Sequence, residues 1–456
     1  MRYLLSSAFL NGTSYRAKIK EFVSSDIRLL APESGVDIPL LVKTCEKLDQ
    51  RDVGYEIFFT LLTITTFILA AASSSQGSEV LISASILLLV AAAGVTWIIK
   101  EKKQRQWVKE LFVSNGFDQE RFKKEFLGNI ALSKDNESGG RNIVIYDGFN
   151  PFVGAGIDLD GWSISIDLTK KKDDVLAEDK KQTENYELDE LYSLLRKNLK
   201  DLGFSNFTIK DLLFVNGTDV KDVDWILPDK YKRPLSFVDD KDIKKYYAAN
   251  NKVVRHYNVV QVADWENDII LSFYIRFSLQ KNNLFVEVSR FLLTPIASEY
   301  RKIDKLATRS KSTRIRDALI KFVFGGLYSA YLTLKFASRI QTGLVKMFDN
   351  KQRREKKEID ENPLFNYGAK TSLREQFSGG EYMHYFQKLD KELYFKTLER
   401  SFLDTVVAFL DEHNIETSDI VERRTTIINS GIIVKGGDVN AASLAVGKKA
   451  KAMTQK

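Results

Sequence analysis

Two long uncharged stretches dominate the hydrophobic pattern of the N-terminal part of the chain. No charged residue occurs from Ile57 to Ser78, and none occurs from Val80 to Ile99. Each stretch is close to the roughly 20 residues that a helix needs to cross a bilayer. The residues between them, Ser73–Glu79, are small and polar, as a tight turn in water requires. The pattern therefore predicts a transmembrane helical hairpin over residues 53–100.

Positive charges flank the predicted hairpin on one side only. Lys43, Lys47 and Arg51 precede it, the turn carries no Lys or Arg, and a basic run beginning at Lys100 follows it. By the positive-inside rule, both termini then face the cytoplasm and the protein lies in the inner or plasma membrane. The lone Cys45 fits a reducing compartment. A buried helical hairpin in a soluble core is the alternative, which these flanks disfavour.

Alternating and helical patterns follow the hairpin. Apolar residues alternate with polar ones in Trp162–Leu168 and in Ile269–Leu279, and a turn at 281–283 joins the second run to another. Leucines from Leu188 to Leu202 recur every three or four residues, which predicts a helix. The fold class is therefore α+β, an antiparallel sheet with helices packed on it. Apolar residues from Leu389 to Phe409 predict a helical C-terminal arm.

These patterns divide the chain into consecutive segments. The predicted segments are an N-terminal helical cytosolic region (1–52), the hairpin (53–100), a juxtamembrane helix (101–132), a cytosolic α+β domain (133–300), a basic amphipathic segment (301–357), a helical arm (358–426) and a Gly-rich β tail (427–456). Within the α+β domain, residues 133–140 have the composition of a flexible linker.

The positive charge of the chain is concentrated in residues 301–357. The whole chain has a net charge of +7, whereas this segment alone holds 16 Lys or Arg and 4 Asp or Glu. Its 13 uncharged residues Phe322–Leu334 are too few to span a bilayer and predict a helix at the membrane surface. Contacts with the anionic inner leaflet are expected from Lys321, Lys335, Arg353, Arg354, Lys356 and Lys357. A core helix with solvated basic flanks is the alternative, and no nucleic-acid partner is expected.

A Gly-rich segment, Asn142–Ile157, is the candidate ligand-binding site. Gly148, Pro151, Gly154 and Gly156 lie in a loop after a predicted strand, and glycines let a backbone approach a phosphate closely. The segment has no complete phosphate-binding motif, so a tight strand-to-strand connection is the favoured alternative. Asp158, Asp160 and Asp167 are candidate metal or acid–base groups, with solvated turn carboxylates as the preferred interpretation.

Other chemistry is sparse. The chain has one Cys and 3 His, and the histidines lie far apart, so no metal site and no cofactor are predicted. Neither a Ser/His/Asp nor a Cys/His arrangement can be assembled from motifs.

Four stretches carry a family resemblance: residues 2–16, 29–43, 142–156 and 410–452. The third reads NIVIYDGFNPFVGAG, and the fourth ends in the Gly-rich tail. Together they resemble an uncharacterised family of bacterial, chiefly actinobacterial, two-helix membrane proteins. The tail is also similar to tails attached to domains of bacterial conflict systems. The resemblance implies no activity and no catalytic residue.

Three functional hypotheses follow. The first is a membrane-anchored cytosolic scaffold or sensor that binds a protein partner or ligand at the inner membrane face, in defence or envelope homeostasis. The second is a membrane-bound enzyme that uses the Asp147–Asp167 region. The third is a pore-forming effector whose hairpin assembles as a homo-oligomer. The lack of charged residues within the predicted spans favours an anchor over an ion pathway.

Overall fold

The computed structural model describes residues 1–75, 79–113, 116–128, 141–171, 187–247, 251–306, 316, 319–320, 322–348, 351–418, 420–422 and 424. The predicted linker 133–140, the predicted β tail 427–456 and Lys321 lie outside the described residues. The chain forms two compact units. We call Met1–Gly154, Val215–Phe237 and Pro295–Glu381 the helical unit, and Ala155–Phe214, Val238–Thr294 and Tyr382–Lys456 the sheet unit. The units interleave along the sequence, and residues 133–300 contribute to both.

The described part of the helical unit is mostly α-helical. It contains α1 (Arg2–Leu10), α2 (Gly12–Phe22), α3 (Ile38–Ser75), α4 (Glu79–Phe112), α5 (Gln119–Phe122), a π-helical turn (Lys123–Leu127), strand β1 (Ile143–Tyr146), α8 (Lys302–Leu306), α9 (Gly325–Phe348), α10 (Lys351–Glu361) and α11 (Leu373–Gln376). Asp37 begins α3 by accepting a hydrogen bond from the Leu40 N–H at 2.9 Å.

The described part of the sheet unit contains the other regular elements. They are β2 (Ile157–Asp167), α6 (Leu188–Lys200), β3 (Phe207–Asn216), α7 (Asp240–Lys244), β4 (Val254–Asp264), β5 (Ile269–Gln280), β6 (Asn283–Leu293) and α12 (Tyr385–Glu412). The last two residues of β3 belong to the helical unit.

The N-terminal helices close the core of the helical unit. Phe9 of α1 makes edge-to-face contacts with Phe112 and Phe126, at centroid distances of 5.8 and 5.0 Å. Such pairs add to the stabilisation from apolar burial. The short α1 and α2 therefore pack against α3, α4 and the residues that follow α4, as a segment too small for its own core must.

Three long helices, α3, α4 and α9, pack on one another. The ring of Trp97 stacks on that of Tyr328 at 4.0 Å, and Phe59 is fully buried. Gly325 lies so close to α4 that a Cβ built on it would be 2.4 Å from the backbone nitrogen of Gly94. Close backbone approach through small residues is typical of helix packing in membranes.

This packing extends the helix predicted over Phe322–Leu334, while its contact with the membrane stays a prediction. The sequence predicts a helix at the membrane surface there, with a core helix as the alternative, and residues 325–334 form the first part of the 24-residue helix α9. At 1.5 Å per residue, α9 is about 36 Å long. The helix continues past Lys335 to Phe348, and the charges of Lys335 and Arg339 are compensated by Glu56 of α3, at 3.0 and 2.9 Å.

One described helical stretch is long and apolar enough to cross a membrane. It covers Ile38–Ala72, and its most apolar window has a mean hydropathy of 1.7 with 11% of the window buried. The second predicted span, Val80–Ile99, lies within α4. Membrane crossing by α4, and hence the transmembrane hairpin, stays a prediction.

The structure confirms the α+β fold class, but the six-stranded sheet is mixed rather than the purely antiparallel sheet that the sequence predicts. The strand order is β1-β3-β4-β5-β6-β2, and the β4–β5, β5–β6 and β6–β2 pairs are antiparallel. The helices α6 and α12 pack on each other, and α12 packs on β5. On β5, both Ser272 and Ser278 are buried, so this central strand is covered on both faces rather than half-buried as the alternation suggests. Ser272 accepts a hydrogen bond from Gln261 at 2.9 Å, which makes its burial tolerable.

The contact between Gly325 and Gly94 yields a test of the helix packing. We expect Gly325→Ala to lower the unfolding temperature of the full-length protein in detergent, by overpacking that costs on the order of 1–3 kcal/mol. Gly343→Ala is the matched control on the same helix, because a Cβ there meets nothing within 4 Å. Replacing a mid-helix glycine with alanine should there be neutral or stabilising. Equal destabilisation by both variants would contradict the close packing of α9 on α4.

Candidate functional site

The predicted ligand loop is closed by protein backbone at two of its glycines. Gly154, with φ +87°, lies in the helical unit, and a Cβ built on it would be 2.7 Å from the carbonyl oxygen of Pro32. Gly156, with φ +93°, lies in the sheet unit, and a Cβ on it would be 2.4 Å from the carbonyl oxygen of Leu292. Both positions need glycine for its positive φ and small volume. These contacts favour the structural alternative, while ligand binding by this segment stays a prediction.

The two other loop residues predicted to bind a ligand lie before this closed part. Gly148 has φ +116° and nothing within 4 Å of a Cβ built on it. Pro151 is half-buried, and its neighbour Phe149 is fully exposed. The segment therefore has an open start and a tightly packed end.

Within the helical unit, Glu33 and Glu375 form the hydrogen bonds that support the loop at Gly154. Its carboxylate oxygens accept the N–H groups of Leu373 and Arg374 at 2.6 and 3.1 Å. Burial raises the pKa of Glu33 to about 7, although both N–H donors and the charge of Arg374 favour the ionised form. Glu375, in the same helix α11 as Leu373, accepts a hydrogen bond from the N–H of Gly154 at 3.2 Å. The arrangement is a hydrogen-bonded support for the loop.

The candidate carboxylates of β2 serve the local backbone. Asp158 accepts the N–H of Asp160 at 2.9 Å, and Asp160 has φ +64° at an irregularity in the pairing of β2 with β6. Asp167 accepts the N–H of Thr169 at 2.9 Å. Each bond closes an Asx turn, which is the interpretation preferred from the sequence.

A buried polar network in the sheet unit has no counterpart in the sequence motifs. Asp211 accepts hydrogen bonds from Arg196 at 2.7 Å and from Asn258 at 3.0 Å, and it lies 2.9 Å from the Nε2 of His256. Burial opposes ionisation of Asp211, but its bonds with His256 and Asn258 and the charge of Arg196 lower its pKa to about 2. Because the carboxylate is saturated by these partners, the network is suited to holding α6 on the sheet.

The helical unit contains a cavity of about 580 Å³ with a strongly cationic lining. Its charged lining residues are the cations Arg16, Arg51, Lys100, Arg105, Lys302, Lys305 and Lys335, and the carboxylates Asp52 and Glu101. The aromatic rings of Trp97, Tyr328 and Tyr331 also line it. A volume of this size is typical of small-molecule sites. We call this site the cationic cavity.

Several cations of the cavity are compensated within the unit. Arg16, whose side chain is buried, donates to Asp49 at 2.7 Å and also to Asp52, and Lys100 pairs with Asp52 at 3.1 Å. Lys100 also lies 4.6 Å from the ring centre of Tyr55. Two carboxylates of α3, those of Asp49 and Asp52, therefore neutralise Arg16 and Lys100 in the lining of the cationic cavity.

Two cations of the cavity lack such compensation. Neither Arg51 nor Lys302 has a carboxylate within ion-pair distance in the described part of the chain, although the charge of Asp52 acts on Arg51 from farther away, and Lys302 is exposed. The Nε of Arg51 is buried and, among the described residues, has no hydrogen-bond partner. A buried donor left unpaired is costly, so this atom is a weak point of the packing in the helical unit.

The residues predicted to touch the membrane surface fall into two groups. Lys335 lines the cationic cavity and pairs with Glu56 at 3.0 Å. Arg353, Arg354, Lys356 and Lys357 lie on α10 and are largely exposed, with Lys357 3.5 Å from Glu361. Lys356 lies 5.5 Å from the ring centre of Tyr231. Their contact with a membrane stays a prediction.

The sequence motifs did not identify the cationic cavity, because its walls come from four separated segments. Arg16, Arg51, Lys100 and Lys302 lie on α2, α3, α4 and α8. The signals in the sequence are the basic flanks of the predicted hairpin and the basic segment 301–357, which contains Lys302. Taken alone, the flanks indicate topology and the basic segment indicates contact with the membrane surface, and neither indicates a shared site.

The glycine contacts yield a stability test. We expect Gly154→Ala and Gly156→Ala each to destabilise the protein by more than the roughly 1 kcal/mol that positive φ alone costs, because the added methyl also meets a backbone oxygen. Gly148→Ala is the control, with positive φ and open space around it. Unfolding temperatures of the three variants give the comparison. Equal shifts for all three would show that the close contacts do not matter.

Glu33 yields a pH test. Because its pKa in the folded protein, about 7, exceeds the ordinary value of 4.5, the folded state binds a proton that the unfolded chain does not between those pH values. The contribution of Glu33 to stability is therefore fully present below about pH 4.5 and is lost as the pH rises to about 7, by at most roughly 3 kcal/mol. Unfolding followed from pH 5 to pH 8 should show this slope in the wild type and in the control Glu21→Gln, whereas Glu33→Gln should lack it. An unchanged slope in Glu33→Gln would rule out Glu33 as the titrating group.

Comparison with known proteins gives one family. The AbeC-like domain matches residues 161–440, more than half of the chain. No curated protein and no solved structure matches this chain. The match agrees with the expectation of an uncharacterised family, while the two-helix architecture and the bacterial group implied by the resemblance stay predictions. This chain belongs to the AbeC-like domain family.

Proposed function

We propose that the protein is a membrane-anchored sensor or scaffold that works at the inner face of the bacterial membrane. The observation that carries this proposal is the apolar outer surface of α3, α4 and α9. Large apolar side chains point away from the helix contacts on all three, including Phe67 at 75% exposure, Leu87 at 72% and Leu334 at 72%. A contiguous apolar surface of this kind on a single chain marks a membrane or protein interface.

The inner contacts of the same helices support a bilayer rather than a protein partner. Thr63 hydrogen-bonds to Ser329 at 2.9 Å across the α3–α9 contact, and its hydroxyl also donates to the carbonyl of Phe59 in its own helix. Small residues and hydroxyls inside with large apolar residues outside are typical of helices that pack in lipid. The ion pairs of Glu56 and Asp52 lie at one end of the apolar segments, where water and headgroups meet.

The proposed topology places the sheet unit in the cytoplasm. The flanking Lys and Arg residues of the apolar segments, from Lys43 to Arg51 and from Lys100 to Lys109, support this orientation. The described sheet unit, with its buried network around Asp211, is then the part that meets a cytosolic partner or signal. Membership of the AbeC-like family is consistent with a role in bacterial defence.

The topology is tested by labelling single cysteines with a membrane-impermeant maleimide in spheroplasts. The buried native Cys45 is first replaced by alanine. We expect Ser75→Cys, between the two apolar stretches, to react in intact spheroplasts. Ser205→Cys, on an exposed loop of the sheet unit, should react only after permeabilisation.

Two outcomes would contradict the proposal. Labelling of Ser205→Cys in intact spheroplasts would place the sheet unit outside. Recovery of the wild-type protein in the soluble fraction, without detergent, would exclude the anchor altogether.

A further inference from the structure

We propose that the cationic cavity binds a phosphate ester, presented by the headgroup of an anionic phospholipid. The cavity has more cations than its carboxylates can neutralise, and Arg51 and Lys302 have no carboxylate partner among the described residues. This proposal deepens the proposed function, because the membrane anchor is what brings a lipid to the site.

The chemistry of the lining selects phosphate among anions. Arg51 contributes a guanidinium group to the lining, and Lys302 contributes an ammonium group. Guanidinium and ammonium groups together bind tetrahedral oxyanions through several charge-assisted hydrogen bonds. Asp52 is already engaged by Arg16 and Lys100, so it repels an incoming anion less than a lone carboxylate would.

The position of the cavity selects a lipid as the source of that phosphate. Trp97 and Tyr328 stack on each other in its wall, and Leu332 lines it beside them. On the same helix, Leu327 directly precedes Tyr328 and Leu334 follows Leu332 by two residues, and these two leucines are exposed at 68% and 72%. Aromatic rings of this kind lie at the headgroup level, and basic pockets between membrane helices bind anionic headgroups. A headgroup in the cavity would leave its acyl chains beside the exposed leucines.

The test uses full-length protein purified in a neutral detergent. Phosphatidylglycerol and phosphatidylcholine are titrated separately, and binding is followed by the unfolding temperature and by native mass spectrometry. We expect phosphatidylglycerol to raise the unfolding temperature and to remain bound, whereas phosphatidylcholine should do neither. Arg51→Gln and Lys302→Gln should each weaken phosphatidylglycerol binding by roughly tenfold, as expected for one charge-assisted hydrogen bond.

Controls separate a lost site from a damaged fold. Lys124→Gln removes an exposed lysine of the same unit that does not line the cavity, and it should bind phosphatidylglycerol as the wild type does. Arg51→Lys keeps the charge and should retain part of the affinity. If Arg51→Gln fails to fold, Lys302→Gln decides the question, because its side chain is exposed and makes no ion pair with the described residues.

A third titration identifies the source of the phosphate. Glycerol 3-phosphate at millimolar concentration should compete weakly, because it lacks the acyl chains. If it saturates the site and displaces phosphatidylglycerol, the phosphate site stands but its ligand is soluble and the lipid assignment is overturned. Equal binding of both lipids, or unchanged binding by both Arg51→Gln and Lys302→Gln, would overturn the site itself. The lipid titration is done in detergent and needs no bilayer. It therefore tests lipid binding by the cationic cavity even if the labelling experiment shows that the proposed topology is wrong.

Discussion

The buried carboxylate of Glu56 is the interaction on which the arrangement of the long helices depends. Its side chain is 1% exposed, and its oxygens contact Arg339 at 2.9 and 3.1 Å and Lys335 at 3.0 Å. Removing the partners of a buried charge costs roughly 3–5 kcal/mol. Lys335 and Arg339 are one helical turn apart, so both reach Glu56 only when α9 lies along α3 in one register. The contact of Gly325 with Gly94 then positions the N-terminal end of α9 against α4.

Charge and apolar surface are sorted along the same three helices. In the described apolar segments, Thr63 and the ring of Phe59 lie at the helix contacts, whereas Phe67 is exposed. The carboxylates of Asp52 and Glu56, one turn apart on α3, gather cations from α2, α4 and α9 at one end. The same concentration of cations that pairs with α3 creates the cationic cavity. Structural pairing and the capacity to bind an anion therefore have one origin.

Local sequence patterns predicted many of the helices and strands, but they could not predict contacts between residues far apart in the sequence. The alternation in Trp162–Leu168 and the leucine spacing after Leu188 correspond to β2 and α6, because both signals arise from neighbours in sequence. Glu56 stands at the border of an uncharged run, and nothing local shows that it pairs with residues about 280 positions later. Ser272 alternates with apolar residues like a solvent-facing side chain, yet its hydrogen bond with Gln261 lets it be buried. The positive φ of Gly154 was foreseeable, but its contact with Pro32 was not.

The distance in sequence between α4 and α9 has a consequence for biosynthesis. The chain between Phe112 and Phe348 must be translated before α9 can pack on α3 and α4. At 5–20 residues per second, that takes about 10–50 s. During this interval Glu56 has neither of its cationic partners, and the α4 backbone around Gly94 has nothing packed against it. The nascent α3 and α4 therefore exist for tens of seconds as an incomplete bundle with an uncompensated carboxylate, which makes them a natural substrate for the factors that shield newly made helices.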